Sequence, residues 1–149
     1  MKNKGFTLIE LLAVIVILAI IALIATPIII GIINDARNSA RERSAELVKT
    51  GIQYAYTKSM YKGTNGTQVG TVSLQSIHDY FDVDNAHAEA VSGDSLTIKT
   101  DDDVICTLTY NAATGKYLLN CGVEGNLTKY YNGVDAFGAG SSVTSTATN

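Results

Sequence analysis

The sequence predicts an α+β fold in which a long N-terminal α-helix packs, over its second half, on a small antiparallel β-meander. Two observations support this prediction. The first 60 residues begin as an apolar stretch and continue, without losing helical spacing, as an amphipathic one. Beyond residue 94 follow three short strand candidates separated by turn-forming linkers. A chain of 149 residues has room for one modest globular domain besides the apolar segment.

The first half of the predicted helix, residues 6–33, is apolar almost throughout, and residues 11–25 contain no polar side chain. At 1.5 Å per residue such a helix is about 42 Å long, enough to cross a bilayer. Pro27 removes one helix hydrogen bond. With Gly31 nearby, it predicts a kink or a short melted stretch.

Two lysines, Lys2 and Lys4, precede the apolar segment. They predict that the N-terminus stays in the cytoplasm while the rest of the chain is exported. A secretory signal peptide or a plain signal anchor is the alternative. Residues 23–27 form a poor signal-peptidase site, and a plain anchor gains nothing from the carboxylate of Glu10.

The residues around Glu10 resemble a known processing signal. Residues 4–10 read KGFTLIE and lead into the apolar run, which resembles the N-terminal signature of type IV prepilins and pseudopilins. The resemblance implies that residues 1–5 are a leader peptide. It implies that a membrane protease, the prepilin peptidase, cuts between Gly5 and Phe6 and then N-methylates Phe6. It also implies a pilin fold and no cofactor.

Cleavage there changes the charge of the chain and creates a partner for Glu10. Loss of two lysines takes the formal side-chain charge from −3 to −5. The new α-amine of Phe6 is a cation, and pairing with the Glu10 carboxylate offsets the cost of burying both. The resemblance implies that this amine belongs to a neighbouring subunit during filament assembly. Pairing within one chain is also sterically possible, because Phe6 and Glu10 are four residues apart.

Residues 34–60 continue the helix as an amphipathic segment. Small and apolar residues form one stripe, and most charged residues lie off it. We expect this half of the helix to belong to a globular head, residues 34–149, and its stripe to pack on the rest of that head. The apolar half of the helix is expected to protrude. The stripe consists of Ala36, Ala40, Ser44, Leu47, Val48, Gly51, Ile52, Ala55 and Ser59.

Residues 61–94 are predicted to form a loop and one short helix, at about 73–81, with Ser73 as its N-cap. His78 and His87 have no further ligands at metal-binding spacing, so both are interpreted as surface residues. No metal site is predicted.

Three strands are predicted at 95–100, 104–111 and 116–122, within a sheet region of residues 95–123. If Asn111 lies opposite Lys116, the facing pairs on one side are apolar and those on the other are mostly polar. A shift of one residue destroys this separation. The first strand, paired in the same way, adds Leu96 and Ile98 to the apolar face. The apolar pairs are Tyr110/Tyr117, Leu108/Leu119, Cys106/Cys121 and Val104/Val123.

This register places Cys106 opposite Cys121. In an exported protein the two can form a cross-strand disulfide, and the alternative is a pair of buried free thiols. The linker at 101–103 is predicted to be a solvated acidic turn, with a cation site as the alternative.

The C-terminal region, residues 124–149, is predicted to supply another strand or a packed loop, followed by a tail that is flexible or lies on the surface. Asn65 and Asn126 each begin a triplet of the N-glycosylation type.

The sequence contains no nucleotide-binding loop, no metal-ligand cluster and no paired nucleophile and base, so no enzyme activity is predicted. A net charge of −3 argues against a nucleic-acid partner.

The resemblance implies a structural subunit that is membrane-bound at first and later polymerises, as a helical homopolymer, into an extracellular fimbrium. It implies the prepilin peptidase, an assembly platform and an assembly ATPase as partners. Adhesion and twitching motility are uses typical of the family it resembles, and the sequence leaves adhesion, motility, DNA uptake and secretion open as the use of this chain. The alternatives are a minor pilin, a pseudopilin of a type II secretion or DNA-uptake system, or a membrane-anchored binding domain.

Overall fold

The chain divides into two compact units, Met1–Ser39 and Ala40–Asn149. The first helix contributes residues to both units. The computed structural model describes residues 5–61 and 72–138. Residues 1–4, residues 62–71 with Asn65, and residues 139–149 lie outside the described residues, so the loop and the C-terminal tail predicted there stay predictions.

Helix α1 spans Leu8–Tyr61. In the first unit its side chains are exposed almost without exception. The helix continues through Pro27 without a break, and a kink or a melted stretch at this position stays a prediction. The Thr26 hydroxyl donates to the carbonyl of Ala22 at 2.6 Å, next to the position where the proline lacks its own N–H.

In the second unit α1 buries one face, formed by Ala45, Val48, Gly51, Ile52, Ala55 and Ser59. The predicted stripe was wrong at Leu47, which is 57% exposed, and it missed Ala45. Val48 lies at the centre of the buried face. Because successive residues are 100° apart on a helix, Leu47 points about 100° away from that centre. Ala36 and Ala40 are exposed as well.

Gly51 permits a close approach between α1 and the segment after the second helix. A Cβ at this position would overlap Cγ2 of Val83 and touch the ring of Phe81. The absence of a side chain is therefore what lets this segment cover α1.

Helix α2 spans Leu74–Tyr80 and buries Leu74 and Ile77. Its predicted cap is confirmed, because the Ser73 hydroxyl accepts a hydrogen bond from the Ser76 N–H at 3.1 Å.

A five-stranded antiparallel sheet follows, with the strands in chain order from β1 to β5. β1 was not predicted, and β5 settles the alternative left open for the C-terminal region in favour of a strand. The α+β class with a long N-terminal helix is confirmed. The strands are Ala86–Ala88, Ser95–Thr100, Ile105–Asn111, Lys116–Val123 and Asn126–Asp135.

The predicted register is confirmed from Asn111/Lys116 to Cys106/Cys121. The ladder ends at Ile105/Gly122, so Val104 and Val123 are not paired in it. Thr100 N–H donates to Val104 O at 2.9 Å, which closes the first hairpin as predicted. The apolar side of the sheet forms the core with the buried face of α1 and includes Leu96, Ile98, Leu108 and Leu119.

A disulfide joins Cys106 to Cys121 across β3 and β4, with their Cα atoms 4.1 Å apart. Both residues are fully buried in the core.

The acidic turn between β2 and β3 is exposed but also fixed to α1, which the sequence analysis did not predict. Arg41 Nε donates to the carbonyl of Asp102 at 3.0 Å, and the Ser44 hydroxyl donates to the Asp102 carboxylate at 2.6 Å. Arg41 also pairs with Asp103 at 3.4 Å.

Candidate processing and assembly site

The candidate site lies at the start of helix α1, where the chain changes from a non-helical to a helical path. Residues 5–7 are non-helical and exposed, and α1 begins at Leu8. Apart from its chain neighbours, no described residue lies within 4 Å of the position that a Cβ on Gly5 would take, and Phe6 is 83% exposed. The Gly5–Phe6 peptide bond is therefore open to an approaching protease.

Thr7 and Glu10 form a reciprocal capping box at this helix start. The backbone N–H and the hydroxyl of Thr7 donate to Oε2 of Glu10 at 2.9 and 2.8 Å. In return the hydroxyl oxygen of Thr7 accepts from the Glu10 N–H at 3.3 Å. Glu10 thus has a partner in its own chain before any cleavage takes place.

The sequence analysis missed Thr7 as a functional residue. A signal was present, since Thr7 and Glu10 have the spacing of the S/T-x-x-E box directly before an apolar run.

The capping box uses only half of the Glu10 carboxylate. Both donors from Thr7 go to Oε2, and no donor among the described residues reaches Oε1. A carboxylate can accept about four hydrogen bonds, and an anion is favoured near a helix N-terminus. Glu10 can therefore keep its cap and accept a cation as well.

The apolar part of α1 continues directly from this site. Over the described residues it is the one helix whose length and composition suffice to cross a membrane, with a mean hydropathy of 3.2 in its 18-residue window. None of that window is buried. A surface this apolar needs either lipid or other helices around it.

The other sequence-predicted residues lie away from the helix start along the chain. Pro27 and Gly31 follow within α1, and no atom lies within 4 Å of the Cβ position of Gly31. Cys106 and Cys121 belong to β3 and β4 of the second unit. The candidate site therefore consists of residues 5–10, and the disulfide is a structural element of the head.

The two histidines fit a surface role to different degrees. The side chain of His87 is 78% exposed and lies 3.7 Å from Asp101. The side chain of His78 is only 30% exposed and contacts Asp79 at 3.0 Å. In residues 5–61 and 72–138 no three His, Cys, Asp or Glu side chains are grouped to hold a metal ion.

Comparison with known proteins bears on the helix start directly. Residues 1–26 match the family model described as the prokaryotic N-terminal methylation motif. This chain carries the leader signature of type IV prepilins. No curated protein and no solved structure matches the chain.

The predicted prepilin resemblance is thereby confirmed. The motif supports a type IV pilin-like or pseudopilin precursor, and the long helix followed by an antiparallel sheet is consistent with a pilin fold. The motif implies processing by the prepilin peptidase and pilus assembly. With the apolar helix, it indicates membrane anchoring before assembly. The matched family is structural rather than enzymatic.

Proposed function

We propose that this protein is the major structural subunit of a type IV pilus. The observation that supports this most is the match of the methylation motif to a helix start at which the cleavable bond is exposed and Glu10 is already capped. The chain is anchored in the membrane, loses its leader, and is polymerised into a surface filament.

The prepilin peptidase cuts between Gly5 and Phe6 and methylates the new amine of Phe6. Gly5 suits the first of these steps, because a residue without a side chain enters a protease site in an extended form at little steric cost. Cleavage removes Lys2 and Lys4, the charges that hold the N-terminus in the cytoplasm. The chain can then be drawn out of the membrane by the assembly platform and its ATPase.

Glu10 acts during assembly by accepting the Phe6 amine of a neighbouring subunit at Oε1. The capping box supports this role, because Thr7 satisfies Oε2 and lowers the cost of holding the carboxylate near lipid before assembly. The incoming amine then meets a carboxylate that is already oriented. The binding step thus requires little reordering of the Glu10 side chain.

The exposed apolar side chains of residues 8–33 become the core of the filament, where helices of many copies replace lipid around one another. Pro27 and Gly31 are the place at which α1 kinks or melts as the subunit leaves the membrane.

Sheared surface filaments test the proposal. Mass spectrometry is expected to find this chain as their dominant protein. A few copies per filament would make it a minor pilin or pseudopilin, and its absence from filaments would favour a membrane-anchored binding domain. Hydrogen exchange of the same filaments is expected to be faster at residues 28–31 than in the flanking turns, and uniform protection would contradict the kink.

A further inference from the structure

The hairpin between β4 and β5 presents a second feature that the pilus function does not use. Val123 pairs with Asn126, and the two-residue turn between them contains Gly125 with a φ of +86°. All five residues from Glu124 to Thr128 are exposed. β5 is the last strand in the order of the sheet, so the hairpin lies at an edge.

Asn126, Leu127 and Thr128 form an acceptor triplet of the N-glycosylation type. Asn126 and Thr128 are both exposed, at the start of β5, where its pairing with β4 is irregular. The amide and the hydroxyl of the triplet are therefore both accessible to an enzyme.

We propose that Asn126 is a site of N-linked glycosylation. The proposal rests on the proposed function, because the glycosylating enzyme acts on exported segments. The donor is an oligosaccharide linked through pyrophosphate to a membrane lipid. The Asn126 amide nitrogen bonds to the anomeric carbon of the first sugar, the bond from that carbon to the pyrophosphate oxygen breaks, and the lipid pyrophosphate leaves. The amide proton passes to a base of the transferase.

The fold presents the acceptor without needing to unfold. Among the described residues no hydrogen bond holds the Asn126 side-chain amide. Its backbone carbonyl packs directly on Gly122, where a Cβ would overlap it. The Asn126 side chain is thus exposed on a hairpin whose backbone is closely packed. A glycan at this position would also block unwanted pairing along the edge of the sheet.

Glu124 gives the transferase a charged group to recognise. Glu124 is the first of the two turn residues, is exposed, and stands two residues before the acceptor. The second triplet, at Asn65, has Gly63 in the equivalent position and therefore lacks this charge. Asn65 is the matched control within the same chain.

The test uses full-length protein in filaments sheared from the native cells. Intact-mass and peptide mass spectrometry are expected to find a glycan on Asn126 that is lost in Asn126→Gln and kept in Asn65→Gln. Thr128→Val is expected to lose the glycan while keeping Asn126, and Thr128→Ser to retain it. An unmodified Asn126 in the mature chain, or a glycan that survives Thr128→Val, would overturn the proposal.

Two further readouts complete the test. Glu124→Gln is expected to lower the occupied fraction of Asn126 severalfold, and unchanged occupancy would remove Glu124 from the recognition. The N-terminal peptide of the same sample reports leader cleavage. A cleaved leader with a bare Asn126 overturns only the glycosylation, whereas an uncut leader overturns the proposed function itself.

Discussion

The side chain of Glu10 has two roles, as a partner in the helix cap and as a negative charge. Two substitutions test these roles separately. Glu10→Gln keeps the capping box, because a glutamine oxygen accepts the same two bonds from Thr7, but it removes the charge that we propose attracts the Phe6 amine. We expect this variant to be exported and cleaved normally, and its filament yield to fall to a small fraction of wild type. Thr7→Ala is the matched control, since it loses the two hydroxyl bonds of the capping box while keeping the charge and the bond from the backbone N–H of residue 7.

Filament yield is measured by shearing cells and quantifying the chain in the filament fraction. If Glu10→Gln assembled normally while Thr7→Ala did not, Glu10 would act as a cap only, and its role toward a neighbouring subunit would be wrong.

Asp135 links the stability of the head to pH. Its carboxylate accepts from the Phe137 N–H at 3.1 Å and pairs with Lys116 at 3.2 Å, and the hydrogen bond from Phe137 is the main reason that its pKa lies below the ordinary value. The ionised form therefore stabilises the fold. This contribution is complete above the unfolded pKa of about 3.9 and is lost as the pH falls through the lower native pKa.

Asp135→Asn is accordingly expected to lower the thermal midpoint at neutral pH, and the difference from wild type is expected to shrink as the pH falls through the lowered native pKa of Asp135. Thermal unfolding of the full chain in detergent, followed by circular dichroism, measures this. A constant difference between the two proteins across that pH range would contradict the linkage.

Single residues were harder to predict from sequence than patterns were. Thr7 was missed, although its spacing to Glu10 is a recognised local signal. Arg41 was missed because its partners, Asp102 and Asp103, lie about sixty residues away in sequence. A contact between a helix side chain and a turn so far away in sequence leaves no local pattern from which it can be predicted.

Among the elements, the pair β3 and β4 carries the disulfide, and its contribution to stability can be measured. The bond closes a loop with a sequence separation of 15, for which the chain-entropy model gives about 3 kcal/mol. We expect the free energy of unfolding to fall by about 2–4 kcal/mol in the double variant Cys106→Ala/Cys121→Ala. Urea unfolding in detergent measures the loss.

Wild-type protein unfolded with and without a reductant is the control for the altered side chains. If the reduced wild-type protein were as stable as the oxidised one, the bond would add nothing to the fold.

The register of β3 and β4 could be predicted because two faces of different polarity fit only one alignment. β1 could not, since three residues of alternating burial are too short for a pattern. β5 was left open because its pairing with β4 shifts twice, which interrupts the alternation that marks a strand. On α1 the stripe was placed correctly from Val48 to Ser59 but extended wrongly to Leu47, because apolar character was taken as burial.

At the scale of the whole molecule, the two units differ in what surrounds their apolar side chains. The second unit buries its own core between α1 and the sheet. Leu and Ile side chains of residues 8–33 remain exposed in the isolated chain. This contrast follows from sequence, since one half of α1 is amphipathic and the other is apolar on every side. The proposed function uses this contrast, because the apolar half of α1 needs lipid or other helices around it and the second unit does not.

The central claim is that the mature chain begins at Phe6. Mass spectrometry of the N-terminal peptide from the exported protein measures this directly. The account predicts a peptide that starts with N-methylated Phe6 and contains an unmodified Glu10. A peptide that starts at Met1, or one that begins well beyond Phe6, would contradict it.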